Sequence, residues 1–421
     1  MDARAQNLVV ETLGCRLNAW ESEVMTAHAR AAGLTDAVVV NSCAVTGEAV
    51  RQTRQAVRRA ARANPGAPVI VTGCAAQTQP EMFAAMPEVA RVLGNDEKLS
   101  ADAWKALFAP DSDRVQVGDI MQATRARGAH VEGTAGRARA HLQVQTGCDH
   151  RCTFCIIPYG RGNSRSVPLA DAVARARTLA EAGHAEIVLT GVDITSWGQD
   201  LDGAPRLGRL AAAILEACPD LKRLRLSSLD AVEIDDELFD LIAGEPRLAP
   251  HLHLSLQAGD DMILKRMKRR HSRADAVALT GRLRAARPDI AFGADMIAGF
   301  PTETDAMFEN TRALIADCGL SFVHVFPFSP REGTPAARMP QLDRALVKAR
   351  AAALREAAAE AEARHNARRE GTRAALLVER AGWGRDGDFT LARVDAQTPG
   401  QIVSATLHAG ADGTMDARLT A

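Results

Sequence analysis

The sequence predicts an α/β protein in three parts: an N-terminal doubly wound parallel sheet, a central partial (β/α)6 barrel and a small C-terminal all-β domain. Three observations predict it. Short β-branched runs alternate with helical stretches from the N-terminus to about residue 331, the pattern of parallel sheets. Six such units follow an Arg-, Gly- and Ala-rich stretch at 123–140, too few for a closed eight-stranded barrel. After Gly371 the helical texture stops, and short strands split by glycine turns replace it.

The first strands are LVVETLGC, AVVVNSC and PVIVTGC, short and β-branched as buried parallel strands are. Between them AWESEVMTAHARAAG and TGEAVRQTRQAVRRAARANPG have helical spacing and a Gly or Pro stop. The central strands end in VQTGC, IVLTGVD, RLSSLD, LSLQAGD, DMIAGF and HVFPFSP. Polar residues and glycines crowd those C-terminal ends, where barrel enzymes keep their chemistry. A long Ala/Arg/Glu helix runs from about Leu342 to Arg369, and ALLVER, DFTLARV and QIVSATLHAG supply the last strands. The domain boundaries expected are 1–125, 137–368 and 369–421, with 123–140 as the linker.

A chain of 421 residues exceeds one ordinary core, and its 47% apolar and 24% charged residues are those of a globular protein. No apolar run approaches the roughly 20 residues of a membrane-spanning helix, and the N-terminus lacks a secretory pattern. No membrane association and a cytoplasmic location are therefore expected. Eight cysteines in such a chain make metal ligands or buried fillers rather than a disulfide scaffold. The net charge of −1 says nothing about nucleic acid, but two basic runs stand out. One holds Arg51, Arg54, Arg58, Arg59 and Arg62, the other Lys265, Arg266, Lys268, Arg269, Arg270 and Arg273. By itself either run reads as a solvated helix face.

The strongest local signal is Cys148-Asp-His-Arg-Cys152-Thr-Phe-Cys155, directly after a strand at the mouth of the barrel. Thiolates at this spacing on a tight loop can converge on one metal centre. Three ligands on a four-iron cluster would leave one iron open to a small molecule, whereas zinc would need a fourth ligand, such as His150. Cys15, Cys43 and Cys74 each end one of the three N-terminal strands. Parallel strands bring those ends to one sheet edge, where open α/β sheets bind ligands, so these three read as a second cluster site. Cys218 and Cys318 sit at helix ends and read as structural, and His251 and His253 read as a satisfied pair on one strand face.

At these residues the chain resembles the radical S-adenosylmethionine methylthiotransferases over essentially its whole length. CDHRCTFC fits the superfamily's Cys-x3-Cys-x2-Cys motif, and TLGCRLNAWESE, VNSCAVT and VTGCAAQ look like the family's N-terminal cluster segments. YGRGNSRS, LTGVDITSWG, HLHLSLQAG, LKRMKRRHS, GFPTET and FSPREGTPA continue the match, and the last module resembles the TRAM RNA-binding domain. RLRLSSLD and HVFPFSPREGTPAARMP look most like the branch acting on N6-threonylcarbamoyladenosine at tRNA position 37. One departure is GFPTETD, where the family usually has Gly before Glu.

The resemblance implies two [4Fe–4S] clusters and S-adenosylmethionine as cofactors. Cys148, Cys152 and Cys155 would bind the cluster that cleaves S-adenosylmethionine, with Phe154 near its adenine. Cys15, Cys43 and Cys74 would bind an auxiliary cluster carrying the sulfur to be inserted. One S-adenosylmethionine would methylate that sulfur, and a second would give the 5′-deoxyadenosyl radical that removes hydrogen from adenine C2. Further cofactor-site candidates are Gly191, Asp193, Ser228, Asp230 and Gln257 at strand ends, with Arg270 nearby. A threonylcarbamoyl group carries a carboxylate, which calls for a cation, and Arg331, Arg161 and Arg165 are the candidates, Arg331 foremost. The implied partners are the tRNA anticodon loop, a reductant such as flavodoxin or ferredoxin, and a sulfur donor. Rival readings are the branch acting on isopentenyladenosine, the branch acting on a ribosomal-protein aspartate, and a non-catalytic iron–sulfur RNA-binding or electron-carrier protein.

Overall fold

The computed structural model describes residues 8–127, 138–396 and 398–420, so the expected linker lies largely outside the described residues. The chain divides into two compact units: Met1–Val131, Gln145–Val167 and Ser329–Thr334 in the first, Glu132–Val144, Pro168–Phe328 and Pro335–Ala421 in the second.

The first unit is built on a five-stranded parallel sheet: β1 (Val9–Thr12), β2 (Val38–Ser42), β3 (Val69–Gly73), β4 (Val89–Leu93) and β5 (Val115–Gln116). Helices α1 (Arg16–Ala31), α2 (Gly47–Ala63), α3 (Cys74–Thr78), α4 (Pro80–Ala84) and α5 (Ala101–Ala106) connect them. Both faces are covered. Val50, Ala56 and Val57 of α2 and Phe83 of α4 pack with Val38, Val40 and Val71, while Met25 and Ala29 of α1 and Trp104 of α5 pack with Val39 and Ile70. This alternation explains why β2 and β3 are buried at every position and read as continuous apolar runs. The strand order follows the chain, β1 to β5, without the reversal that a doubly wound sheet ordinarily contains. Five strands rather than three form because VARVL and the two-residue β5 extend the far edge.

The chain then makes β6 (Ala140–Gln143) in the second unit and returns to the first as a short antiparallel pair, β7 (Gln145–Thr146) with β8 (Arg165–Ser166), enclosing α6 (Ile157–Arg161).

The rest of the second unit continues with α7 (Leu169–Glu181), β9 (Glu186–Thr190), α8 (Leu207–Ala217), β10 (Arg223–Leu226), β11 (Ser228–Leu229), α9 (Asp236–Gly244) and β12 (His251–Gln257). Next come α10 (Asp261–Arg266), α11 (Arg273–Ala286), β13 (Ala291–Ala298), α12 (Asp305–Asp317) and β14 (Phe322–Pro327). All pairings are parallel, in the orders β10-β9-β6 and β11-β12-β13-β14. Ser227 separates β10 from β11, so the six strand positions of an open barrel are present with one strand broken in two. The helix α13 (Arg344–Arg369) leads to a closed five-stranded barrel in the order β15-β16-β17-β19-β18. Its strands are β15 (Arg373–Arg380), β16 (Trp383–Arg385), β17 (Leu391–Val394), β18 (Ile402–Ala409) and β19 (Met415–Leu419), around Leu376, Ala392, Leu407 and Met415.

A buried charge cluster ties this last barrel to the base of the open one. Glu186 at the start of β9 is fully buried between Arg225 (2.8 Å), Arg139 (3.0 Å) and Arg223 (3.1 Å). Arg223 also donates to the Ala375 carbonyl at 2.6 Å, and Arg225 to that of Asp386 at 3.3 Å. Burial alone would raise the Glu186 carboxyl, but Arg225 and Arg139 outweigh it and hold it at about 2. Replacing Glu186 by Leu strands the three arginines, so a loss of about 3–5 kcal/mol is expected in urea unfolding. A midpoint within experimental error of wild type would refute the cluster's structural role.

Candidate functional site

Glycine precedes cysteine at three strand or loop ends: Gly14-Cys15, Gly73-Cys74 and Gly147-Cys148. Each glycine has a positive φ, between 74° and 96°. At Gly73 a Cβ would lie 2.4 Å from the Ser42 carbonyl oxygen, and at Gly147 it would lie 1.8 Å from that of Asn163. Only glycine tolerates both demands, and the sharp turn aims each cysteine across the strand end.

In the first unit Cys15, Cys43 and Cys74 meet at one sheet edge as the sequence predicts. A Cβ added to Gly14 would sit 3.0 Å from Cys43 Sγ. Cys74 opens α3, whose first amides are capped by Ser42, its hydroxyl accepting from Ala75 N and Ala76 N at 3.1 and 3.2 Å. Asn95 reaches Cys74 Sγ at 3.6 Å, and Cys15 lies 3.7 Å from Asn18 Oδ1. Burial pushes the Cys43 thiol up to about 11, with Cys74 and Cys15 adding repulsion. Three crowded thiols of this kind are stable as thiolates only around a cation, which is the donor set of a metal cluster.

A charge network that sequence reading missed lies beneath them. Glu21 accepts from Arg161 at 2.7 Å and from Lys98 at 2.6 Å, all three buried. Arg161 also donates to Asn18 Oδ1 at 2.7 Å. Burial would raise the Glu21 carboxyl, but Arg161 and Lys98 hold it down at about 2. Arg161 keeps its charge against burial because Cys74 and Glu21 favour it. It is thus a fixed counter-charge to the thiols rather than an open substrate cation. Arg165 is also engaged, donating to the Arg161 carbonyl at 2.9 Å and to that of Asn163 at 3.0 Å. A Glu five residues past a helix start, with a lone Lys distant in sequence, gave no signal for this pairing.

Cys148, Cys152 and Cys155 lie in the same unit on the loop between β7 and α6, half-buried and outside any disulfide. The Cys148 amide donates to the Gly162 carbonyl at 3.0 Å and that of Cys155 to Cys152 at 3.1 Å, so the loop is wound tightly with no fourth cysteine within it. Phe154 is half-buried within that loop. Gly160 packs against Cys74, where a Cβ would lie 3.3 Å from Cys74 Cβ. Arg331 joins this unit too, its guanidinium 3.6 Å from a Cβ placed on Gly47. It is buried, its Nε has no partner among the described residues, and Cys43 favours its charge where burial disfavours it. Cys218 and Cys318 are buried in the second unit.

The remaining candidates gather at strand ends of the second unit. Asp193 follows β9 and Gly191, accepting from Thr195 Oγ1 at 2.9 Å and Ser196 Oγ at 2.7 Å. Asp230 pairs with Arg269 at 2.8 Å, and Arg270 with Glu233 at 2.6 Å. Gln257 ends β12 at a register shift with φ 67°, and Ser228 pairs in register with His253. Asp193 and Asp230 thus perform the local turn and ion-pair work that such residues often do. Of the second basic run, Arg266, Arg269, Arg270 and Arg273 are committed to protein partners. In the first, Arg51, Arg58 and Arg59 pair with Glu48, Glu88 and Glu11.

An open parallel barrel whose first strand is followed in the chain by a Cys-x3-Cys-x2-Cys loop is the architecture of radical S-adenosylmethionine proteins, and the model of the Radical SAM superfamily matches residues 142–315. Residues 7–94 match a second family, described as uncharacterized protein family UPF0004. The threonylcarbamoyladenosine tRNA methylthiotransferase MtaB of Rickettsia prowazekii is 47% identical, over 96% of each chain. The tRNA-2-methylthio-N(6)-dimethylallyladenosine synthase of Novosphingobium aromaticivorans is 38% identical over 78% of this chain and 76% of its own. Among solved structures, the radical S-adenosylmethionine methyltransferase TsrM of Kitasatospora setae shares the fold, with TM-score 0.56 and 16% identity over 78% of this chain and 76% of its own. The chain belongs to the radical S-adenosylmethionine methylthiotransferase family. It is an enzyme whose cofactors are two [4Fe–4S] clusters and S-adenosylmethionine.

Protein purified without oxygen is expected to hold about eight irons. Changing Cys148, Cys152 and Cys155 to Ala should leave about four and abolish 5′-deoxyadenosine formation. The Cys15, Cys43 and Cys74 triple variant should also leave about four. A full iron load in either variant contradicts the assignment of ligands.

Proposed function

We propose that this enzyme converts N6-threonylcarbamoyladenosine at position 37 of tRNA to its 2-methylthio derivative in the cytoplasm. The observation that carries the reading is the pair of three-thiol sets in one unit, one on a superfamily loop and one on a sheet edge. A carrier of electrons would need neither the second set nor a barrel with polar strand ends. No helix among the described residues is long and apolar enough to cross a membrane. The 47% identity to the threonylcarbamoyladenosine enzyme, against 38% to the dimethylallyladenosine one, favours the polar substrate.

When bound, the clusters and S-adenosylmethionine supply the electron, the radical and the sulfur; the chain positions and shields them. Cys148, Cys152 and Cys155 would hold one cluster, and Cys15, Cys43 and Cys74 the other. Asp193, Asp230 and Arg270, with Gly191, Ser228 and Gln257, would line the S-adenosylmethionine side of the barrel mouth, and Phe154 would pack on adenine. Arg331 would pair with the substrate carboxylate, since Arg161 and Arg165 have protein partners and its own Nε has none among the described residues. The terminal five-stranded barrel would bind tRNA, whose affinity should fall steeply with salt. A flavodoxin or ferredoxin would reduce the clusters, and a separate sulfur donor would renew the auxiliary one.

Incubating the purified enzyme with tRNA carrying either modification and analysing nucleosides by mass spectrometry tests the substrate. The 2-methylthio product is expected on threonylcarbamoyladenosine, and product on isopentenyladenosine alone contradicts the reading. Arg331→Ala should lower kcat/KM on the first tRNA at least about tenfold, the effect of losing a charged hydrogen-bonded pair. Wild-type kinetics in that variant would remove Arg331 from substrate binding.

A further inference from the structure

Three titratable side chains of the second unit meet on one face of its open barrel and belong to none of the groups described above. His253 Nε2 lies 2.9 Å from Asp295 Oδ1, and His324 Nδ1 lies 3.3 Å from the same oxygen. The two imidazole centres are 5.2 Å apart. The residues come from adjacent strands β12, β13 and β14, where His253 pairs with Gly293 and Asp295 with His324. Side chains two residues apart on a strand share a face, so all three project to the side that also carries Ser228. The opposite side carries Leu252, Leu254, Phe292, Ala294 and Met296, all buried.

This face is built around the cluster. Gly293 leaves room for the His253 ring, since a Cβ there would sit 2.8 Å from Nδ1. Toward the N-terminal end of the strands the face is closed by aromatic rings: His251 stacks on Phe389 at 4.6 Å, and Phe322 meets His365 at 5.0 Å. Toward the other end exposure rises from His253 (14%) to Asp295 (30%), and His324 (58%), level with Asp295 on the edge strand β14, is the most open of the three. Phe326, two residues further along β14, is exposed as well. A polar layer over an aromatic floor, open at the end where barrel enzymes bind their substrates, is a place for a polar group of a ligand.

We propose that His324, oriented by Asp295 and backed by His253, is a specificity-determining residue that hydrogen-bonds the polar substituent on N6 of the target adenosine. The inference rests on the substrate reading above. Asp295 Oδ1 accepts from both imidazoles, which makes Nδ1 the protonated nitrogen of His324 and fixes the orientation of its exposed ring. Burial would raise the Asp295 carboxyl, but hydrogen bonds from His253 and His324 hold it below the usual range, so it stays an anionic acceptor. A threonylcarbamoyl group offers urea N–H groups and a hydroxyl as donors to such a ring, and an isopentenyl group offers nothing. A site built to hydrogen-bond its ligand rejects an analogue lacking the partner more strongly than an apolar pocket rejects a larger one.

Binding is measured with anticodon-stem hairpins that carry threonylcarbamoyladenosine or unmodified adenosine at the target position. The wild-type holoenzyme should prefer the modified hairpin, and His324→Leu should cut that preference about five- to tenfold, the effect of one lost hydrogen bond. His324→Gln, which keeps a hydrogen-bonding side chain of similar length, should retain most of it, and Asp295→Asn should fall between. Iron content and melting temperature check that each variant is folded. An unchanged preference in His324→Leu overturns the proposal. A stoichiometric non-iron metal that disappears in His253→Ala also overturns it, because the cluster would then be a metal site. Product formation by the wild-type enzyme on threonylcarbamoyladenosine tests the substrate reading independently of either result.

Discussion

The cluster chemistry depends on holding three thiols of the sheet edge together without a disulfide, and the contact that makes this possible is the buried pairing of Glu21 with Arg161 and Lys98. Glu21 lies one turn and a half into the helix that Cys15 begins. Arg161 ends the helix that follows the Cys148 loop. One carboxylate therefore ties the segment carrying the first cysteine set to the segment carrying the second. Arg161 in turn places a permanent cation among the thiols, offsetting part of the charge that thiolates bring to a low-dielectric edge. A buried ion pair of this kind adds little net stability relative to apolar residues of equal volume, yet losing one partner costs about 3–5 kcal/mol. Its contribution is geometric.

The same logic recurs in the second unit with a different purpose. Glu186 gathers three arginines that lead on to the backbone of the terminal barrel, so the base of the open barrel and the RNA-binding candidate are fixed by one carboxylate. The strand ends at the opposite rim use smaller pairs, Asp230 with Arg269 and Glu233 with Arg270, leaving polar groups in a shaped, partly exposed setting. The Glu186 cluster serves structure, and of the rim pairs only Arg270 reaches solvent at the strand ends where chemistry is expected.

Much of this was legible in the sequence where the signal is local or periodic. The β-branched runs ending in cysteine became strands whose ends meet, because parallel strands place their C-termini on one edge. The Cys-x3-Cys-x2-Cys spacing identified its loop without any structure. What stayed hidden depends on pairing across long separations. Lys98 meets Glu21 from 77 positions away and Arg161 meets it from 140, and neither spacing carries a pattern. For the same reason Arg161 and Arg165 resembled open cations, and His253 resembled a core residue until its strand neighbours supplied Asp295 and His324. The fourth and fifth strands of the first sheet were missed because one is punctuated by an arginine and the other has two residues.

The claim that one carboxylate organises both cysteine segments is tested by a double-mutant cycle on Glu21→Gln and Arg161→Met, with iron per chain after anaerobic reconstitution and the urea midpoint as readouts. The account predicts that Glu21→Gln falls to about four irons, and that the two substitutions are non-additive in stability by about 0.5–3 kcal/mol. A full load of about eight irons in Glu21→Gln, with strictly additive stabilities, would contradict it.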